Sequence, residues 1–475
     1  MACSRIEFSG CVPCDINERG NFFMKIKFGL GRRCINPELP ISLAGYFNKR
    51  MWDKVLDDLE VRAVVLKSGG EYAAIIQFDL LCINYRLYHA VEKAVKKADF
   101  KNISMKNLLI CATHTHTAPD VNGDPNSEEF VKFAAGKAVE ALEDAAEELI
   151  PGELFGGMAE DHRFIFNRRY WMKDGKVVTN PGKLNPDIVR PEGEIDPQIP
   201  LLAIKTEEGM ALLISSIVNH TDTIGGCGVS ADWPGFMRRN LEKDMAPGAM
   251  VLPLIGASGN INHFDVSTDM DQTSYAEPER IGNGYAQSIR KVWENLVPVE
   301  GKGLSSHSRK VKSKCREIDP AEIAEAEAVM AKYPDVDVNN PESVQDLTSE
   351  DLAKGTPFAL KYFANALLKQ AARTDKPEFL LSCIKFGDSA VIASLPSEPF
   401  VEIGLALRRS IFNDRLCLVT SHGNSNGGKG YGGGYIPNSW NYGRGGYEST
   451  PRSSGYSIHT ADILLANWRK LSEKK

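Results

Sequence analysis

Apolar residues along this chain fall into short runs separated by glycine, proline and charge. From Val61 to Leu81 two such runs flank Gly69-Gly70, Arg-Ala-Val-Val-Leu before the pair and Tyr-Ala-Ala-Ile-Ile-Gln-Phe-Asp-Leu-Leu after it. Apolar stretches of strand length on both sides of a glycine turn predict a buried β-hairpin. Tyr88 to Ala98 then carries helical spacing, and Asn107 to Thr113 reads as another buried strand. Glu128 to Leu149 is alanine-rich and helical, with Pro151-Gly152 as its stop. Further strand-like runs are Leu201–Lys205, Ala211–Val218, Met250–Ile255, Leu380–Phe386, Ala390–Leu395 and Leu416–Thr420. Strands alternating with helices predict an α/β architecture.

Two stretches break this pattern. Asp319 to Lys376 is charged, alanine-rich and interrupted by Pro334 and Pro341, which predicts a helical insertion. Ser421 to Gly446 is dense in glycine and asparagine, with Tyr431, Tyr435, Trp440, Tyr442 and Tyr447 in or just beyond it. A long glycine-rich loop inside a compact domain is either disordered or functional, and the interleaved aromatics favour function. Residues 1–23 read as a loosely held extension before a single domain spanning 24–475. Their Cys11 and Cys14 form a lone CxxC without the second pair that a structural zinc site needs.

Composition narrows the class. The 475 residues are 43% hydrophobic and 25% charged with a net charge of −6, a globular profile with no basic footprint for nucleic acid. No run reaches the roughly 20 apolar residues of a membrane helix. The first residues lack a signal-peptide core, and ten scattered cysteines are too few for a disulfide framework. These features together predict a cytoplasmic protein with a small-molecule substrate and no stable membrane association.

The chemistry concentrates where strands end. Thr113-His114-Thr115-His116-Thr117 follows a buried strand, and in extended backbone residues i and i+2 face the same side. Neutral imidazole binds zinc, and a second imidazole can exchange protons near pH 7. The run Ala211–Val218 leads into His220, and Ala390–Leu395 into Pro396-Ser-Glu398-Pro399. Strand ends are where open α/β sheets hold ligands, so three potential ligands at three such ends point to one metal site.

These motifs, in their order along the chain, resemble those of the neutral ceramidase catalytic domain. Thr113-His114-Thr115-His116 resembles that family's Thr-His-Thr-His motif, and Asn219-His220 with Ser230-Ala-Asp-Trp-Pro-Gly its second metal-histidine segment. Asn167-Arg168 resembles its Asn-Arg segment, Gly259-Asn-Ile-Asn its Gly-Asn loop, and Leu395-Pro-Ser-Glu398 its Pro-Gly-Glu ligand motif. Gly434-Tyr435-Ile-Pro and Tyr447-Glu448 share the spacing of its two active-site tyrosines. The resemblance runs from about Phe28 to Glu448. It departs at Arg169-Tyr-Trp, where a small residue is common, and after Tyr447, where one helix from Tyr456 to Leu471 stands in place of an immunoglobulin-like domain.

The resemblance implies central mixed β-sheets packed by helices and a zinc ion held by His114, His220, Glu398 and Tyr435. It also implies His116, Arg168 and Tyr447 around a substrate carbonyl, and amide hydrolysis as the reaction. Asparagine, glycine and aromatic residues in the long loop suit a polar pocket, so a zinc hydrolase or lyase for a sugar or other polar metabolite is the second reading. A zinc-binding protein without catalysis is the third. The acidic, alanine-rich insertion carries no aromatic stripe facing a basic side, which predicts a water-soluble substrate in a narrow pocket lined by the Tyr431–Tyr447 loop.

Overall fold

A computed structural model describes residues 24–46, 48–301, 303–339, 355–424, 428 and 434–474. The expected N-terminal extension, Tyr431 and the middle of the insertion lie outside the described residues. The expected runs form strands, and three times they assemble in one topology: an antiparallel hairpin, a helix, and a strand parallel to the hairpin's second strand. The first unit is Glu60–Ser68 with Glu71–Phe78, the helix Tyr85–Ala98, and Leu108–Ala112. The second is Gln198–Thr206 with Gly209–Ile217, the helix Asp232–Glu242, and Met250–Ile255. The third is Glu378–Phe386 with Ala390–Ser394, the helix Val401–Ala406, and Leu416–Thr420. A parallel pair needs such a crossover, because a tight turn can join only antiparallel strands.

The first two units share a nine-stranded sheet, joined through Lys25–Cys34 and Ile150–Glu160. The third unit, with Leu304–Lys312, forms a four-stranded sheet. One face of each sheet meets the other: Val64, Leu66, Ile75, Leu109, Leu212 and Leu252 pack with Ile384, Phe386, Ile392 and Leu418. Helices cover both outer faces. Val91, Ala134 and Ala138 lie on Val65 and Ile110, while Met237, Leu241 and Ile281 lie on Leu201 and Val251. Trp468, in the helix Thr460–Ser472, covers the smaller sheet with Phe379 and Val391. Burying each large apolar side chain contributes about 1.5–3 kcal/mol, so this layered packing dominates the stability. The α/β fold of mixed sheets packed by helices is the one expected.

Two local expectations change. The helix read as Glu128 to Leu149 is Ser127–Glu147, and Pro151-Gly152 sits inside the strand Ile150–Glu160 that follows. Proline is tolerated near the start of a strand, where a missing N–H costs least. The final helix begins at Thr460, because Tyr456 is buried and its hydroxyl bonds that of Ser397 at 2.9 Å. Phe164-Ile165-Phe166, the apolar run ahead of Asn167-Arg168, contributes only Phe166–Asn167 to a short ladder. Within the insertion, Pro320–Lys332 and Pro357–Ala371 are helices, the first closed by a capping box of Asp319 and Glu322. Among the described residues no helix is long and apolar enough to cross a membrane.

Candidate functional site

All three units point the carboxyl ends of their strands at one place. His114 follows Leu108–Ala112, His220 follows Gly209–Ile217, and Glu398 follows Ala390–Ser394. The loops are knit together by backbone hydrogen bonds: the His114 amide donates to Leu80 O at 2.9 Å, His116 to Thr221 O at 3.1 Å, and Glu398 to Gly434 O at 3.0 Å. His114, Ser397 and His422 adopt positive φ of 62°, 58° and 51°. Left-handed backbone at a residue other than glycine is strained, and the surrounding bonds must over-determine it. Gly45 and Gly259 allow the closest approaches. A Cβ on Gly45 would lie 2.4 Å from His116 Nδ1, and one on Gly259 would lie 2.4 Å from the Glu398 carbonyl oxygen.

The imidazoles are buried and close. His114 Nε2 lies 3.0 Å from His220 Nε2 and 3.3 Å from His116 Nε2. Glu398 Oε2 lies 3.5 Å from His114 Nε2 and 3.8 Å from His220 Nε2. His114 Nδ1 faces the carbonyl of Leu81 at 2.7 Å, and His220 Nδ1 that of Ser258 at 3.2 Å. A carbonyl only accepts, so each Nδ1 carries the proton and each Nε2 of the neutral ring presents a bare lone pair. Two lone pairs at 3.0 Å repel, and Glu398 Oε2 beside them is buried without a hydrogen-bond partner among the described residues. Burial works to raise the Glu398 carboxyl, but the neighbouring imidazoles of His114 and His422 and the Arg168 guanidinium hold it well below its ordinary value. Burial and the nearby Arg168 guanidinium lower His220 well below its ordinary value. Bare nitrogens facing an ionised, unpartnered carboxylate are what a divalent cation would satisfy, so these residues fit zinc chemically.

Tyr435 reaches the same spot by pairing alongside Glu398 in a short parallel ladder. It is buried, and burial raises its phenol well above the ordinary value. The Arg168 guanidinium lies 5.1 Å from the Tyr435 ring centre, and the Tyr447 ring meets that of Tyr435 edge-on at 5.7 Å. All seven residues singled out in the sequence therefore form one contiguous cluster. His116 differs from the other two imidazoles. Its Nδ1 is buried without a hydrogen-bond partner among the described residues, and Asp222 Oδ1 stands 3.7 Å away. Burial lowers it to about 4, so the ring is neutral at pH 7 and its proton is not pinned to a carbonyl.

Solved structures that share this architecture include two ceramidases. Neutral ceramidase from Pseudomonas aeruginosa superposes with a TM-score of 0.68 over 94% of this chain and 74% of its own, at 18% identity. A ceramidase complexed with C2 gives a TM-score of 0.68 over 94% of this chain and 75% of its own, at 16% identity. The chain has the neutral ceramidase fold. No protein-family model and no curated protein matches the sequence.

Within this neutral ceramidase fold the structure adds residues that motif reading missed. His422 stacks on His114, ring centres 3.8 Å apart and planes at 15°. It follows Leu416–Thr420 as His220 and Glu398 follow their strands, and that shared position was its signal. Glu448 is fully buried and holds two guanidinium groups: Arg168 Nε donates to it at 2.8 Å and Arg169 Nη1 at 2.8 Å. Thr179 Oγ1 donates to Glu448 at 2.7 Å and accepts from the Tyr447 amide at 3.0 Å, which ties Arg168 and Tyr447 into one frame. Removing one partner of a buried ion network leaves uncompensated charge and costs about 3–5 kcal/mol. Glu448→Ala is accordingly expected to lose that much in urea unfolding, and a loss below about 1 kcal/mol, a surface-pair value, would show that Arg168 is held by other contacts.

The cavity beside Tyr447 has a volume of about 930 Å³, and Val177, Val178 and Phe363 line it. Phe363 comes from the helical insertion, which supplies a wall that no motif announced.

Proposed function

We propose that the protein is a zinc-dependent hydrolase that cleaves an amide-type bond in a small molecule. The observation that carries this reading is the pair of bare Nε2 atoms of His114 and His220 facing the ionised, unpartnered Glu398 carboxylate. His114, His220, Glu398 and Tyr435 would hold the metal. Bound zinc supplies Lewis acidity, which polarises a carbonyl and lowers the pKa of water from about 15.7 towards roughly 7. His116 takes a proton on Nε2 from the attacking water and returns it to the leaving nitrogen, work suited to a neutral imidazole with an unpinned proton. The Tyr447 hydroxyl donates to the carbonyl oxygen as negative charge develops there. Arg168, fixed by Glu448 and by its bond to Gly259 O at 2.7 Å, orients a polar group of the substrate.

Structures named as ceramidases share the fold, and that supports the amide reading. The test is metal analysis with a substrate panel: N-acyl sphingosines, short polar amides and glycosides. The expected result is about one zinc per chain, amide turnover, and loss of turnover on chelation. Full turnover after complete metal removal would overturn the reading. Stoichiometric zinc with no turnover on any substrate would leave a zinc-binding protein.

A further inference from the structure

The cavity beside Tyr447 combines an apolar wall with one cation that the proposed chemistry leaves unused. Val177 and Val178, on the short strand Val177–Thr179, and Phe363 form the wall. Arg316 and Glu322 also line the cavity. Glu322 is engaged in the capping box of its helix. Arg316 is half-buried and has no acidic partner in salt-bridge contact among the described residues. One of its five N–H groups is used, Nη1 donating to Ser449 O at 2.6 Å, and its guanidinium lies 5.1 Å from the Tyr442 ring centre. That leaves four donors in a planar fork on the cavity wall. Burial pushes the Arg316 guanidinium below its ordinary value despite the pull of Tyr442 and Glu322, the mark of a charge with too little compensation.

We propose that this cavity is an anion-reading subsite, in which Arg316 binds the carboxylate of an amphiphilic substrate whose apolar part lies on Val177, Val178 and Phe363. A planar fork matches a carboxylate in two parallel hydrogen bonds. Glu322 on the same cavity disfavours a dianion, so a carboxylate fits better than a phosphate. The substrate class is an N-acyl compound bearing a carboxylate. As a statement about substrate this rests on the hydrolase reading, while the binding claim does not.

The test uses the whole chain as purified and two isosteric probes, octanoate and octanamide, titrated calorimetrically. Wild type is expected to bind octanoate about 10-fold or more tighter than octanamide, the scale of hydrogen bonds to a charged group. Arg316→Gln is expected to erase that ratio, and Arg316→Lys, which keeps the charge without the fork, to recover part of it. Octyl phosphate is expected to bind more weakly than octanoate. Equal binding of octanoate and octanamide by wild type would overturn the proposal. So would a preference that persists in Arg316→Gln, because the anion would then sit elsewhere, the metal site included. If the preference follows Arg316 but no amide in the panel is cleaved, the hydrolase reading fails and the subsite stands.

Discussion

His114→Ala is expected to empty the site of metal, with zinc content falling from about one per chain to near zero and turnover falling with it. His114 is the centre of the cluster, with the Nε2 of His220 at 3.0 Å, that of His116 at 3.3 Å and the Glu398 carboxylate at 3.5 Å. Its loss leaves only His220, Glu398 and the phenol of Tyr435, from separate loops, of the four proposed ligands. The folded state survives the change, because the strand Leu108–Ala112 is held by its parallel pairing to Glu71–Phe78 and not by the imidazole. The measurement is metal content by mass spectrometry, with circular dichroism as the folding control. Retention of stoichiometric zinc would move the metal site away from this cluster.

His116→Ala gives the opposite pairing of results: zinc stays, and kcat falls on the order of 10²–10⁴-fold, the usual contribution of a general acid–base group. The contrast rests on what each Nδ1 touches. In His114 and His220 a backbone carbonyl fixes the proton on Nδ1 and points a lone pair inward, the arrangement that orients metal ligands. His116 has no such carbonyl, and its nearest acidic group, Asp222, stands at 3.7 Å while accepting from the Tyr46 hydroxyl at 2.5 Å. A ring whose proton is not pinned serves proton exchange better than ligation. Equal zinc loss in His114→Ala and His116→Ala would show that His116 is itself a ligand. That outcome is physically open to the cluster, since the three imidazoles lie close enough to hold one ion.

Much of the fold was legible because apolar runs of strand length leave few alternatives. Met250–Ile255 and Leu416–Thr420 emerge as read, and the hairpin at Gly69-Gly70 forms as its glycines require. The same reading failed at Pro151-Gly152, where sheet packing outweighed a local stop signal. It also passed over the threefold recurrence of hairpin, helix and parallel strand. The recurrence leaves a faint trace at the turns, in Lys67-Ser-Gly-Gly, Lys205-Thr-Glu-Glu-Gly and Lys385-Phe-Gly. Hydrophobic period reports local structure and says nothing of which hairpin resembles which.

The strand-end placement of His114, His220 and Glu398 follows from local pattern, because period and turn chemistry act over a few residues. The motif resemblance extended that to Tyr435, Tyr447 and Arg168. What those groups touch depends on segments far away in the chain. Which imidazole nitrogen is bare depends on the carbonyls of Leu81 and Ser258, distant in sequence from the rings they orient. His422 becomes part of the site because a fourth strand end arrives beside His114, and Arg316 becomes a candidate anion reader because no acid among the described residues forms a salt bridge with it. Charge balance and hydrogen-bond satisfaction are properties of the space around a group, and that space is assembled from all three units at once.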